Sequence, residues 1–215
     1  ALNGVMKPMP GFAVFQGAAG TVAVDDSGGA ISVTGMQFAA DGYVIEGDAI
    51  ELAGAGGESV IRVGIGDPAG ANYTATIASS LTGAGSLAKT DLGTLILSGA
   101  NSYQGGTTVL QGNLVAAVTG ALGTGPVVID VGDLAFANSA SAGNLAIVNR
   151  GSLTFHDTSS AGAAKVTNTG GINFYDTATA QNSIILNNGA GTSFNDASSA
   201  GNAVITNNNG GSIDF

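Results

Sequence analysis

Residues 134–149 read LAFANSASAGNLAIVN, and the phrase returns as LTFHDTSSAGAAKVTN at 153–168, INFYDTATAQNSIILN at 172–187 and TSFNDASSAGNAVITN at 192–207. The phenylalanines of the four repeats are spaced by 19, 19 and 20 residues, and Phe215 follows after 21. A period near 20, with strand-forming residues between Gly and Asn corners, is typical of a solenoid in which each repeat forms one coil.

Side chains of one type occupy matching positions in the four repeats. Because the side chains of a strand alternate between its two faces, one parity of each repeat should face the core. We expect stacked amides in the repeats to hydrogen-bond along the axis. The predicted ladders are an aromatic column (Phe136, Phe155, Phe174, Phe194), an aliphatic column (Ile147, Val166, Ile185, Ile205) and an amide column (Asn149, Asn168, Asn187, Asn207). Each coil is predicted to hold two or three short strands.

The alternation of apolar and small polar residues extends to the rest of the chain, and no helical period is present. Coils spaced by about 4.8 Å, the separation of paired strands, would build a rod on the order of 50 Å long from roughly ten coils. The chain has no cysteine, so stacking between coils rather than disulfides must stabilise it. The sequence therefore predicts an all-β, parallel solenoid.

The composition narrows the classes of partner. Of 215 residues, 15 are acidic and 5 are Lys or Arg, which gives a net charge of −10. The basic residues are scattered singly, so no basic stripe can neutralise a phosphate backbone. Nucleic acid is therefore excluded as an expected partner, and no cofactor is expected.

Residues 83–116 carry a different and longer phrase, GAGSLAKTDLGTLILSGANSYQGGTTVLQGNLVA. With its Leu-x-Lys, Gly-Thr-Leu, Leu-Ser-Gly and Asn-x-Tyr-x-Gly-Gly-Thr-Thr-Val elements, it closely resembles the autotransporter-associated β-strand repeat, also called the passenger-associated transport repeat. Asp91 stands where a Gly is common. Weaker similarity to the spacers of such passengers extends over residues 17–134.

The resemblance implies a passenger domain of a type V secretion system, folded as a right-handed parallel β-helix. Such a passenger is exported through a C-terminal outer-membrane β-barrel of the same parent polypeptide and is displayed at the surface of a Gram-negative bacterium. The expected function is that of a structural segment of an adhesin or its stalk, without enzymatic activity, which aids outer-membrane passage and folding. Its partners would be a host receptor, the extracellular matrix or a second copy.

The expected organisation is an N-terminal lead-in segment at residues 1–20 and one continuous β-helix at 21–215. Within the helix, the transport repeat occupies 83–116 and regular coils of about 19–21 residues occupy 134–215. We expect the chain to be a fragment of a longer polypeptide, because it stops on a repeat strand.

Acidic residues form the most regular polar column, with Asp157, Asp176 and Asp196 each two residues after a phenylalanine. The favoured interpretation is a column of corner caps that accept local backbone N–H groups. A weak Ca²⁺ site is an alternative, because this ion prefers oxygen ligands. A second alternative is an extracellular carbohydrate-active enzyme that uses clustered carboxylates.

Two further features resemble parts of a catalytic site. The segment from Asp26 to Gly29, DSGG, resembles the nucleophile segment of chymotrypsin-like serine proteases, but a triad needs a nearby His base and His156 is the single His of the chain. A Gly-rich turn between strands explains the segment as well, and His156 is expected to be solvated at the surface. No catalytic residue is predicted. Exposed Thr, Ser and Asn ladders leave self-association for cell–cell aggregation or biofilm as a third function.

Overall fold

Short strands that bury alternate side chains dominate the part of the chain that the structure describes. The computed structural model describes residues 11–215. In Ala146–Asn149, a typical strand, Ile147 and Asn149 are buried while the other two residues face outward. Two such strands make up one coil, and the next coil repeats them about 20 residues later.

Residues 11–215 contain 22 strands and two short 3₁₀ helices. The strands up to the transport repeat are β1 (Gly11–Phe15), β2 (Thr21–Val24), β3 (Ile31–Phe38), β4 (Tyr43–Gly47), β5 (Ile50–Leu52), β6 (Glu58–Val63), β7 (Thr74–Ile77), β8 (Leu81–Thr82), β9 (Ser86–Thr90), β10 (Thr94–Leu97), β11 (Thr107–Val109) and β12 (Asn113–Ala116). The later strands are β13 (Val127–Ile129), β14 (Asp133–Phe136), β15 (Ala146–Asn149), β16 (Ser152–Phe155), β17 (Lys165–Asn168), β18 (Gly171–Phe174), β19 (Ile184–Asn188), β20 (Gly191–Phe194), β21 (Val204–Asn208) and β22 (Ser212–Asp214). The 3₁₀ helices are Ala55–Gly57 and Pro68–Asn72.

The strands form two parallel sheets, one on each of two sides of the coil. The first sheet has 12 strands in the order β21-β19-β17-β15-β13-β11-β9-β6-β3-β5-β8, with β1 also paired to β3. The second has 10 strands in the order β2-β4-β7-β10-β12-β14-β16-β18-β20-β22. The predicted all-β parallel solenoid is confirmed, with about 10 turns of roughly 20 residues.

In the C-terminal part of the second sheet, the register of neighbouring strands aligns identical residues. Phe136 pairs with Phe155, Phe155 with Phe174 and Phe174 with Phe194 in the second sheet. The corner between the two strands of a coil allows no side chain at Gly151, where an added methyl would lie 2.2 Å from the carbonyl oxygen of Gly132. The close approach of successive coils therefore requires glycine at this corner.

A third, narrower side closes each C-terminal coil. Isolated parallel bridges join Ser141 to Ser160, Ser160 to Thr179 and Thr179 to Ser199. Buried alanines, including Ala140, lie beside these bridges. Each coil thus has two strands and a bridge, in agreement with the prediction of two or three short strands.

The N-terminal part is less regular, and β3 is where the first sheet divides. The first half of β3 pairs with β5, while the second half pairs with β6 on one side and β1 on the other. Residues 1–10 of the predicted lead-in segment lie outside the described residues. Gly11–Phe15, in the second half of that segment, forms β1 and belongs to the first sheet.

Candidate functional site

The predicted amide column lies inside the molecule at the corner between the two sheets. Asn149, Asn168 and Asn187 are fully buried. Their Nδ2 atoms donate to the Oδ1 of the asparagine in the next coil at 2.8, 2.9 and 2.9 Å, ending at Asn207. Each Nδ2 also donates to a backbone carbonyl of the neighbouring strand. The column therefore joins successive coils through side chains and also bonds the strands of the second sheet.

The two predicted apolar columns are stacks of side chains that run from coil to coil. Successive phenylalanine rings from Phe136 to Phe215 are stacked, with centroid separations of 4.6–5.1 Å. Ile147, Val166 and Ile185 are buried, and Ile205 is partly buried at the last coil. Apart from Ile205 and the 84% exposed Phe215 at the last coil, these residues are core and offer no surface for a ligand.

The acidic column caps corners in a way that the sequence did not predict. Asp157, Asp176 and Asp196 have left-handed φ angles of 57°, 54° and 57°. Each carboxylate accepts the backbone N–H of the column member in the preceding coil, at 2.7 Å from Asn138, 2.9 Å from Asp157 and 3.1 Å from Asp176. The donors are therefore not local, and the carboxylates link coils instead of closing single turns.

Metal ligation and acid catalysis gain no support from this column. Among residues 11–215, no group of three or more His, Asp or Glu side chains has the arrangement of a metal site. His156, beside the column, is half-buried rather than freely solvated, because its ring stacks on Tyr175 with centroids 4.9 Å apart. The sequence missed this pair, although the two residues occupy the same position one coil apart.

The protease-like segment is a turn between β2 and β3. Gly29 donates its N–H to the carbonyl of Asp26 at 2.8 Å. The hydroxyl and N–H of Ser27 both bond to Asp25 and hold the pKa of that carboxyl below its usual range. His156 follows β16, which lies six strands from β2 in the second sheet. The structure does not bring Ser27 and His156 together.

The transport-repeat segment contains a charged side chain in the core. Lys89 is fully buried, and its ammonium donates to the carbonyls of Thr90, Asp91 and Gln111 at 3.0, 2.8 and 3.0 Å. Burial lowers the pKa of this amine from 10.5 to about 8, although nearby Asp91 acts in the opposite direction. Lys89 lies two residues after buried Leu87 in β9 and so on the same face of the strand, which is the sequence signal that could have predicted its burial.

Asp91 explains why glycine is common at its position in similar repeats. Its φ angle is 66°, a left-handed conformation. The carboxylate compensates by accepting bonds from Arg62 Nε, Gly66 N and Leu92 N, all at 2.8 Å. Burial alone would raise the pKa of Asp91, but these hydrogen bonds and the Arg62 charge outweigh it and lower the pKa.

The remaining polar residues of the repeat are also buried and bonded. The Asn101 side chain accepts the N–H of Leu81 and donates to the carbonyl of Ala121. The hydroxyl of Tyr103 bonds to Thr107 Oγ1 at 2.6 Å, and Thr107 donates to the carbonyl of Leu122 at 3.1 Å. Burial raises the pKa of Tyr103 well above 10.0, partly offset by the bond to Thr107. The motif residues thus fasten one coil to its neighbours from inside.

Comparison with known proteins agrees with this geometry. The passenger-associated transport repeat family matches residues 87–116, the segment that carries this buried network. The chain is 54% identical over 125 residues to the adhesin BmaC autotransporter of Brucella suis biovar 1 (strain 1330). The match covers 57% of this chain and 4% of that much longer protein. No solved structure matches the chain.

A parallel β-solenoid with this repeat is typical of autotransporter passenger domains. More than half of the chain is similar to a segment of one autotransporter.

In residues 11–215 the structure has no helix with the length and apolar character needed to span a bilayer.

Proposed function

We propose that this segment is a structural part of a surface adhesin, its body or its stalk, and that the transport repeat aids passage across the outer membrane and folding. The observation that carries the proposal is the buried network of Lys89, Asn101, Tyr103 and Thr107 inside the matched segment. Buried polar groups with satisfied hydrogen bonds specify one arrangement of the chain, because any other arrangement leaves them unpaired.

The proposed mechanism is folding coil by coil. Each coil contacts its neighbours in the stack, so that a folded coil is the template for the next. A coil with its own internal polar bonds resists unfolding better than one held by small apolar residues alone. Such a coil would hold the exported part outside the membrane while the rest of the passenger follows.

Two deletions in the parent protein test the transport role. Thr94 pairs with Asn113, so removal of residues 94–112 takes out one coil of the repeat and leaves the strands in register. Ser152 pairs with Gly171, so removal of residues 152–170 takes out a regular coil of the same length. We expect lower surface levels, measured by immunodetection on whole cells, for the first deletion alone. Equal surface levels for the two would refute a special role of the repeat.

A non-enzymatic role is part of the proposal. The three carboxylates that a carbohydrate-active enzyme would use already accept backbone N–H groups. Incubation of the chain with uronate and neutral polysaccharides, followed by a reducing-end assay, should show no turnover. Robust turnover that is lost in Asp176→Asn would overturn this part of the proposal.

We propose that the whole passenger adheres to a host receptor or to the extracellular matrix. We also expect the same polypeptide to carry a C-terminal outer-membrane β-barrel. The support is the similarity to a protein named as an adhesin. Binding of the chain to immobilised matrix proteins and to host cells would test whether this segment takes part. Absence of binding by this chain, with binding by the parent passenger, would assign it to the stalk.

Self-association is a second candidate, favoured by the outward face of the first sheet. Val128, Val148, Thr167 and Leu186 form a continuous column there that carries no charge. Beside it, Ile184 and Val204 are 49% and 61% exposed. Sedimentation at rising concentration should detect a dimer that Val204→Lys abolishes and that Thr154→Lys, on the other sheet, preserves.

A further inference from the structure

The irregular N-terminal coils form an open groove next to the transport repeat. Its volume is about 570 Å³, and its polar lining includes Arg62, Asp67, Thr90, Asp91 and Gln111. Its apolar lining includes Phe12, Pro68 and Leu92. A groove of this size, apolar with a few fixed polar groups, is typical of a site for a small ligand.

Phe12 supplies a flat apolar surface to this groove. Its side chain is 50% exposed, although it belongs to the first sheet. The ring lies against the backbone of Gly35, where an added methyl would come within 2.7 Å of a ring carbon. Because part of the ring is fixed by this contact, the exposed part is held in place without a partner ring. An exposed aromatic ring of this kind can stack on the apolar face of a sugar.

Arg62 and Asp91 place donors and an acceptor side by side. Arg62 Nε donates to Asp91 Oδ2 at 2.8 Å, and the side chain of Arg62 remains 36% exposed. The guanidinium also lies over Gly66, where a methyl would be 2.5 Å from one of its terminal nitrogens. The group is therefore held at two points. The exposed part of the guanidinium presents N–H donors to neighbouring hydroxyl groups. The Asp91 side chain is 6% exposed and already accepts three hydrogen bonds, so its role is to hold Arg62 in place.

The charges of the groove select among ligands. Asp91 neutralises Arg62, and Asp67 adds a further negative charge to the lining. The whole chain carries a net charge of −10. An anionic ligand would be repelled, whereas a neutral ligand with several hydroxyl groups meets no such cost.

We propose that this groove binds a neutral saccharide, with Phe12 as the stacking surface and with Arg62, Thr90 and Gln111 as hydrogen-bonding partners. The inference rests on the proposed adhesin function, to which it would add a carbohydrate ligand. Asp91 links the groove to the transport repeat, because its backbone carbonyl also accepts a bond from the buried Lys89 ammonium. The groove therefore depends on that coil being folded.

Titration of the 215-residue chain with saccharides, followed by NMR or calorimetry, tests the proposal. The neutral probes are lactose, cellobiose, maltose and chitobiose, and the charged probes are glucuronic acid and sialyllactose. We expect saturable binding of at least one neutral probe with a dissociation constant on the order of 0.1–1 mM, as is usual for a small ligand with few contacts. Charged probes should bind at least tenfold more weakly. No saturable binding of any neutral probe, or equal binding of charged ones, would overturn the proposal.

Variants locate the binding. Phe12→Ala and Gln111→Ala should each weaken binding of the neutral probe at least fivefold, and Gln111→Ala leaves β1 untouched if Phe12→Ala fails to fold. Tyr175→Ala removes an aromatic ring from a distant corner and should leave the affinity unchanged. Binding that survives both groove variants would refute this site. Adhesion of the parent passenger to host cells is measured separately, so that loss of the sugar site with adhesion retained would leave the adhesin proposal standing.

Discussion

Two columns of residues in the C-terminal coils hold a left-handed backbone conformation. One is the acidic column, where Asn and Asp tolerate this conformation better than other residues. The other column has φ angles of 49° to 60° and consists of Gly143, Gly162, Gln181 and Gly201. Gln181 is the member with a long side chain, so its backbone carries strain that the glycines avoid.

Replacing Gln181 by glycine should stabilise the protein. The left-handed conformation costs about 1–2 kcal/mol for a residue with a Cβ, and the added freedom of glycine in the unfolded chain offsets part of this. We expect the free energy of unfolding of Gln181→Gly to rise by about 1 kcal/mol in urea denaturation followed by circular dichroism.

Gly143→Ala is the matched control for this strain. An added methyl there meets nothing within 4 Å, so the backbone conformation at φ 57° should alone destabilise it by about 1 kcal/mol. Unchanged stability of both variants would mean that this corner relaxes and stores no strain.

At the level of strands and corners, the amide column adds side-chain hydrogen bonds between successive coils. Asn168 makes three hydrogen bonds, one with each neighbouring asparagine and one with the carbonyl of Gly191. Asn207 accepts from Asn187 and is exposed at the last coil. An asparagine inside the stack should therefore contribute more to the free energy of unfolding than the asparagine at its end.

Asn168→Ala should lower the free energy of unfolding by about 3 kcal/mol, because it removes three hydrogen bonds of about 1 kcal/mol each from the interior. Asn207→Ala should cost under about 1 kcal/mol, since water can replace the lost partner. Urea unfolding of the two variants measures the difference. Similar losses for both would show that the ladder acts as a space filler rather than through its hydrogen bonds.

The amide column begins at Asn149, and its first member allows a second test of the hydrogen bonds. Asn149 Oδ1 is buried without a hydrogen-bond partner, because Ile129 occupies the corresponding position in the preceding coil. Ile129→Asn could donate to that oxygen, whereas Val166→Asn would bury an amide between Ile147 and Ile185. We expect Ile129→Asn to be less destabilising by about 2 kcal/mol, the cost of an unsatisfied buried group. A larger loss for Ile129→Asn would contradict this account.

The sequence predicts the features that repeat with a period and misses those that depend on local backbone conformation. The Phe, Ile and Asn columns repeat with a constant period, so alternation and stacking were enough to place them. The donors to the Asp column were missed because they depend on a left-handed φ, which turns the N–H of each corner toward the next coil. The bond between Arg62 and Asp91 was missed because β6 and β9 are joined by an irregular connection with no period to follow.

On the scale of the whole molecule, the regular C-terminal coils and the irregular N-terminal coils have different properties. The coils after residue 134 differ little, and their side chains bond mainly to the equivalent residue of the next coil. The coils before residue 112 contain the division of β3, the buried Lys89 and the groove beside Arg62. A binding site needs a concave surface with unequal neighbours, and a uniform stack offers none. Ligand recognition is therefore more plausible where the repeat breaks.

The buried ionisable groups of the transport repeat give the stability of the whole molecule a distinct pH dependence. Lys89 has a pKa near 8 in the folded protein and 10.5 when unfolded, so between these values the unfolded chain binds one more proton. Stability should therefore rise by about 3 kcal/mol over that range, at about 1.4 kcal/mol for each pKa unit. Tyr103 acts oppositely, because its pKa is raised above 10.0: above pH 10 the unfolded chain loses this proton and stability falls.

Urea midpoints measured from pH 7 to pH 11 should therefore pass through a maximum near pH 10. Lys89→Met should remove the rising limb, since the side chain keeps its length and loses the titrating group. Tyr103→Phe should remove much of the falling limb and lower stability at pH 7 by about 1 kcal/mol through the lost hydrogen bond to Thr107. Lys165→Met, at an exposed lysine in a regular coil, should leave the rising limb intact. A rising limb that persists in Lys89→Met would show that the buried amine does not govern this behaviour.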